Sequence, residues 1–143
     1  MYMGASNGTV YARDLSTGAL VWKHATGGPV YPPAVAGSTV YVTSVGGDVI
    51  ALDASTGALQ WSESFAPPAT APAVANGVVY FGRTDGKVQA LRASNGAGLG
   101  NVIPANDHLN PRGPVVANGV VYFTATLNIQ NSQALPSMYA YGL

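Results

Sequence analysis

The 143-residue sequence contains no cysteine, which removes disulfides, thiolate metal sites and cysteine nucleophiles and leaves either redox compartment open. Charge is almost as scarce. Six Lys and Arg balance six Asp and Glu, so 8% of side chains are charged, where a globular domain ordinarily has about a quarter. A net charge of zero with no basic cluster excludes the stripe that nucleic acid requires and the polybasic patch that an anionic membrane attracts. The opening MYMGASNGTVYARD has no basic region followed by an apolar one, as a secretory signal would. Long apolar runs are missing too. The uncharged stretches Ala25 to Gly47 and Gly113 to Leu143 are broken every few residues by Pro, Gly, Asn or Gln, so neither is a membrane span.

What is present is turn residues and short apolar runs. Eighteen Gly and ten Pro accompany 48% hydrophobic residues, too apolar for disorder and too interrupted for long helices. The expectation is an all-β chain.

Internal repeats give that expectation a shape. ARDLSTGALVW from Ala12 returns as ALDASTGALQW from Ala51 and as ALRASNGAGLG from Ala90, each step 39 residues. PAVAGSTVYV from Pro33, PAVANGVVYF from Pro72 and PVVANGVVYF from Pro114 form a second ladder, offset by 39 and then 42. Within one unit, Asn76-Gly77 between Pro72–Ala75 and Val78–Phe81 suits a type I′ hairpin, and Asn118-Gly119 repeats it. A third strand over Lys87 to Leu91 follows Thr84-Asp85-Gly86. A fourth follows Asp-x-Ser-Thr-Gly, where Gly18 or Gly57 can turn left-handed and the Asp and Ser/Thr oxygens can accept from turn amides.

Four antiparallel strands per block at this period predict a β-propeller of four-stranded blades, about three and a half of them and 14 strands in all. The blades divide as a partial blade one over 1–28, blade two over 29–66, blade three over 67–108 and a partial blade four over 109–143. Such an arc leaves two apolar faces uncovered, so the sequence is expected to be N-terminally incomplete, or completed by another chain.

The pattern A-x-D-x-x-T-G-x-x-x-W resembles the PQQ-like, quinoprotein-type β-propeller repeat family. It is complete through Ala12, Asp14, Thr17, Gly18 and Trp22, and again through Ala51, Asp53, Thr56, Gly57 and Trp61. The third copy keeps Ala90 and Gly96 but has Arg92 for Asp, Asn95 for Thr and Gly100 for Trp, and the fourth reaches only Ala140. The resemblance implies that Trp22 and Trp61 tie adjacent blades together, and a recurrent buried indole should find a backbone acceptor. It implies a looser or differently sealed contact at Gly100. Five tyrosines at recurring strand positions, Tyr11, Tyr41, Tyr80, Tyr122 and Tyr139, are expected to pack between blades.

Quinoprotein dehydrogenases of this family bind pyrroloquinoline quinone (PQQ) beside calcium, and neither cofactor is expected here. Asp14 and Asp53 belong to the turn motif, and Asp48, Glu63, Asp85 and Asp107 are scattered, whereas calcium needs six to eight converging oxygens. His24 and His108 fall in different blades without metal or triad spacing and are expected to be solvated loop residues.

Irregularity concentrates in blade four. Asn101 to Gly113 is a D-to-A connection three residues longer than its counterparts, and Thr126 to Ser137 a B-to-C loop eight longer. In a meander these loop types share one face, which would also carry His24, Glu63, Arg83, Asp85 and Lys87. Asn106, Asp107, His108, Asn110, Arg112, Asn128, Gln130 and Asn131 make that the candidate binding face. The functional expectation is a non-catalytic scaffold or interaction module, periplasmic, cell-surface or secreted, whose ring is completed by a protein partner or another copy of itself. The alternatives are a fragment of a PQQ-dependent quinoprotein dehydrogenase and a carbohydrate-binding or cell-surface structural protein.

Overall fold

A computed structural model describes residues 1–65, 70–102, 109–111, 113–127 and 136–142, and among them are fifteen β-strands and no helix. The strands form four antiparallel sheets that succeed one another along the chain as blades. Blade one comprises β1 (Tyr2–Gly4), β2 (Thr9–Arg13) and β3 (Leu20–Ala25). Blade two follows with β4 (Ala34–Ala36), β5 (Thr39–Thr43), β6 (Asp48–Asp53) and β7 (Leu59–Ser64). Blade three has β8 (Ala73–Ala75), β9 (Val78–Gly82), β10 (Val88–Arg92) and β11 (Gly98–Asn101). Blade four has β12 (Leu109–Pro111), β13 (Val115–Ala117), β14 (Val120–Leu127) and β15 (Pro136–Gly142). The expected all-β propeller architecture is therefore the observed one.

Turn chemistry sets the registers. Asn76 and Gly77 have φ of 51° and 73°, and Asn118 and Gly119 repeat those values, so both hairpins use the type I′ geometry that matches strand twist. Their flanks pair as Ala75 with Val78 and Ala117 with Val120. Strand alternation then buries both faces of a blade. Val40, Val42, Ile50 and Leu52 of blade two join Val10, Ala12 and Trp22 of blade one in one core. The opposite face of the same sheet, with Tyr41, Val49, Ala51 and Trp61, meets Val79, Phe81, Leu91 and Ala93 of blade three. A third core joins Tyr80, Val88 and Ala90 to Val121 and Phe123 of blade four. A fully buried valine or leucine is worth about 1.5–3 kcal/mol, so these inter-blade cores outweigh any single turn hydrogen bond at about 1 kcal/mol.

The structure departs from the sequence-based expectation in four places. The fifteenth strand, β12, is not a new blade position. It pairs with the far end of β14, on the edge that β13 also occupies, because blade four's first strand is broken around Gly113-Pro114. Blade two has a smaller version of that break, an isolated bridge from Val30 to Ser44 ahead of β4. The expected loop Thr126 to Ser137 is shorter, since Thr126 pairs with Pro136 and Ala125 with Ser137, the hairpin ladder absorbing part of the insertion. His24 lies in β3 opposite Val10 and is half-buried rather than in a solvated loop. The tyrosines separate into two ladders. Tyr2, Tyr41, Tyr80 and Tyr122 share one register opposite Ala12, Ala51, Ala90 and Ala140, whereas Tyr11 lies on β2 and Tyr139 on β15.

Candidate functional site

The seams between blades one and two and between blades two and three are each built around an aromatic pair and one carbonyl. A β-bulge recurs between the third and fourth strands, at Ala12/Arg13, Ala51/Leu52 and Ala90/Leu91, and sets two residues of the outer strand against one. It leaves Trp22 opposite Ala12 and Trp61 opposite Ala51, aimed at the next blade. Trp22 Nε1 donates to the Ala54 carbonyl at 2.9 Å and Trp61 Nε1 to the Ala93 carbonyl at 2.8 Å. The tyrosine of the same blade reaches the same oxygen. Tyr2 donates its hydroxyl to Ala54 at 2.9 Å and Tyr41 to Ala93 at 3.3 Å. The ring pairs lie 5.7 and 6.1 Å apart, within the range of favourable aromatic contact. The tyrosine partners were readable as a Tyr twenty residues before each Trp, a spacing that repeats at Tyr2/Trp22 and Tyr41/Trp61.

The turns of the first two motif copies, of which the second supplies the Ala54 carbonyl, are each held by an aspartate. Asp14 Oδ1 accepts from the Ser16 and Thr17 amides and hydroxyls, and Asp53 Oδ1 from those of Ser55 and Thr56. The Ser55 hydroxyl above all, with the turn amides behind it, holds the Asp53 carboxyl down to about 2, and Ser16 pushes Asp14 well below the usual carboxylate range. Thr17 and Thr56 in turn accept from the Ala19 and Ala58 amides. In the third copy, Asn95 Oδ1 takes over by accepting from the Ala97 amide at 3.1 Å, and with Arg92 in place of the aspartate the Asn95 amide donates to the Arg92 carbonyl at 3.4 Å.

Gly57 and Gly96 have φ of 73° and 74° and lie directly under the indoles of Trp22 and Trp61. Gly18 has the same conformation with nothing within 4 Å of its β-position. Gly100, opposite Ala90 where the motif has tryptophan, has φ of 103° and open space beside it. The seam between blades three and four is consequently sealed by Tyr80, Val88, Val121 and Phe123 without an indole.

A second group of charges, Asp48, Glu63, Arg83, Asp85 and Lys87, occupies the end of the sheets opposite the Asp14 and Asp53 turns. Asp48 pairs with Ser64 and Val49 with Glu63, which puts the start of the third strand level with the end of the fourth. Asp48 Oδ2 accepts from the Gly27 amide at 2.7 Å and the Ser44 hydroxyl at 3.0 Å, joining the blade-one exit loop to a blade-two loop. Beside it, His24, Thr26, Asp48 and Ser62 contribute to a cleft of about 230 Å³. In blade three, Arg83 grips Asp85 with Nε at 3.2 Å and Nη2 at 2.9 Å, and Lys87 adds a contact at 3.3 Å. Arg83 also contacts Gln89 Oε1 at 3.3 Å and stands 5.7 Å over the Phe65 ring. Burial raises the Asp85 carboxyl, but the Lys87 hydrogen bond and the Arg83 and Lys87 charges together bring it below its ordinary value. Phe65 and Gln89 were not anticipated, although the Arg-x-Asp-x-Lys alternation announces an ion-paired turn.

Of the candidate binding face, Asn106, Asp107, His108, Arg112, Asn128, Gln130 and Asn131 lie outside the described residues. Asn110 is in β12, its backbone opposite Thr126. Among the described residues no three His, Asp or Glu side chains converge to hold a metal. The Asp14, Asp48, Asp53 and Asp85 carboxylates are each tied to a separate turn or loop.

Comparison with curated proteins found no match. Solved structures are similar in fold. The computationally designed Ika8 protein is 20% identical with a TM-score of 0.75, over 87% of this chain and 39% of that one. BamB from Moraxella catarrhalis is 22% identical with a TM-score of 0.69, over 87% and 44%. The quinohemoprotein alcohol dehydrogenase ADHIIG from Pseudomonas putida is 22% identical with a TM-score of 0.70, over 88% and 27%. The chain thus spans less than half the length of each. The family described as outer membrane protein assembly factor BamB matches residues 1–134, and with its repeats, blades and indole-sealed seams the chain belongs to this PQQ-like β-propeller repeat family.

Proposed function

We propose that the chain is a non-catalytic propeller scaffold, an interaction module whose ring is completed by a protein partner or another copy. The supporting observation is how its acidic side chains are used. Asp14 and Asp53 close turns, Asp48 ties two loops and Asp85 is held by two cations, so four of the five described acidic side chains serve architecture. The family description, an outer membrane assembly factor, favours an extracytoplasmic setting. No described helix is long and apolar enough to cross a membrane.

A second reading, part of a PQQ-dependent dehydrogenase, draws on the fold shared with the Pseudomonas putida enzyme over 88% of this chain. Calorimetric titration of the chain with PQQ and calcium separates the two. The scaffold reading expects no binding heat, and saturable micromolar binding overturns it.

A further inference from the structure

The first strands of successive blades lie beside one another, β4 by β8 and β8 by β13, so the fourth strands stand at the outer rim with one edge unpaired. Blade three is packed by a blade on each face, and its rim edge is therefore the same however many blades the ring holds. An unpaired edge is a template for another strand unless charge, proline or a cover blocks it. Exposed Lys23 guards β3 and exposed Glu63 guards β7, but β11 reads Gly98-Leu99-Gly100-Asn101, uncharged and exposed along its whole length.

The backbone of β11 is set for pairing. The Val102 amide donates to the Val88 carbonyl and Gly100 lies opposite Ala90, so the inward bonds of the ladder fall at Val102 and Gly100 while the Asn101 amide and carbonyl face outward. Leu99, the extra residue of the bulge, has no partner on β10. Open space at the β-positions of Gly98 and Gly100 leaves room for apolar side chains of a neighbouring strand. A cation marks one end. Arg92 is exposed, its amide donates to the Ala97 carbonyl just before β11, and among the described residues its guanidinium has no acidic partner.

Resting on the scaffold reading, we propose that β11 is a strand-addition site: an extended segment of a protein partner pairs antiparallel with it as a fifth strand, apolar along its length and acidic at its C-terminal end. Antiparallel pairing, which every pair in this blade uses, brings that end beside Arg92. Main-chain bonds supply the affinity and the side chains over the two glycines the selectivity. The stretch from Ala93 to Asn106 holds no Asp or Glu, so a second copy pairing edge to edge offers nothing to Arg92, which favours a different partner.

The probe is a short peptide of alternating threonine and valine, capped at both ends, whose last residue is glutamate, with a lysine-ended version beside it. Each is titrated into the isotope-labelled full chain and followed by NMR. Saturable shifts and slowed amide exchange at Leu99 and Asn101 are expected, with the lysine-ended peptide binding a few-fold more weakly. Leu99→Lys, which gives β11 the kind of charge the other rim strands carry, and Asn101→Pro, which removes the outward amide, are expected to lose binding with an unchanged far-UV circular dichroism spectrum. Arg92→Gln is expected to bind both peptides equally, a change that misfolding would not produce. No saturable shift, shifts at β3 or β7 as large as those at β11, binding that survives Leu99→Lys and Asn101→Pro, or a glutamate preference that survives Arg92→Gln overturns the proposal. Sedimentation of the chain alone checks the other occupant, and self-association that Leu99→Lys abolishes overturns the assignment to a partner. None of these outcomes bears on PQQ binding, which by itself decides the scaffold reading.

Discussion

Gly57 lies so close beneath Trp22 that a β-carbon there would stand 2.7 Å from the indole Cδ2 and Cε3. The glycine therefore answers two requirements at once, a φ of 73° for its turn and a bare backbone on which the neighbouring blade's ring can rest. Gly18 answers only the first.

That difference makes Gly18→Ala and Gly57→Ala an internal control pair. Both place a side chain in the left-handed region at roughly 1–2 kcal/mol. Gly57→Ala additionally displaces Trp22, and denaturant unfolding should show it more damaging than Gly18→Ala by about 1–3 kcal/mol, the range for overpacking. In the Trp22→Ala background the excess should vanish; equal effects of the two glycine variants would rule out the stacking role.

Trp61 is 9% exposed and donates to the Ala93 carbonyl, so Trp61→Ala should cost roughly 3–5 kcal/mol and Trp61→Phe less. Urea titrations of the two variants check the order. A loss under about 1 kcal/mol for Trp61→Ala would mean that the seam holds without its indole.

Restoring the repeat's tryptophan with Gly100→Trp should fail to stabilise the seam between blades three and four. The space is open, but φ of 103° there strains any side chain, at a cost of about 1–3 kcal/mol. Thermal melts are expected to show a Tm no higher than wild type.

Acid unfolding should depend on the aspartate turns. A carboxyl whose folded value is about 2 against an ordinary 3.8 favours the folded state while ionised. Its contribution is complete above about pH 4 and fades as pH falls toward 2. Asp53→Asn, which cannot titrate, should flatten the stability profile across that window, measured by chemical unfolding at stepped pH. An unchanged slope would show that other groups carry the acid limb.

The sequence by itself determined the repeat, the hairpin turns and the position of the docking indoles, because these depend on short-range chemistry. Asn-Gly fits a type I′ turn, an Asp-x-Ser-Thr-Gly segment closes on its own amides, and a 39-residue period needs one blade per unit. Within that frame the motif residues Ala12, Ala51, Ala90, Thr17, Thr56 and Gly96 could be placed on their strands and turns. Only the tertiary structure decided what crosses between blades. The shared carbonyl that receives tyrosine and tryptophan, the bulge that aims the indole, the Phe65–Arg83 contact and the broken first strand of blade four all join residues from different elements. Met138 and Val88 read alike as apolar strand residues, and one is bare while the other is buried because only Val88 has a further blade against its face.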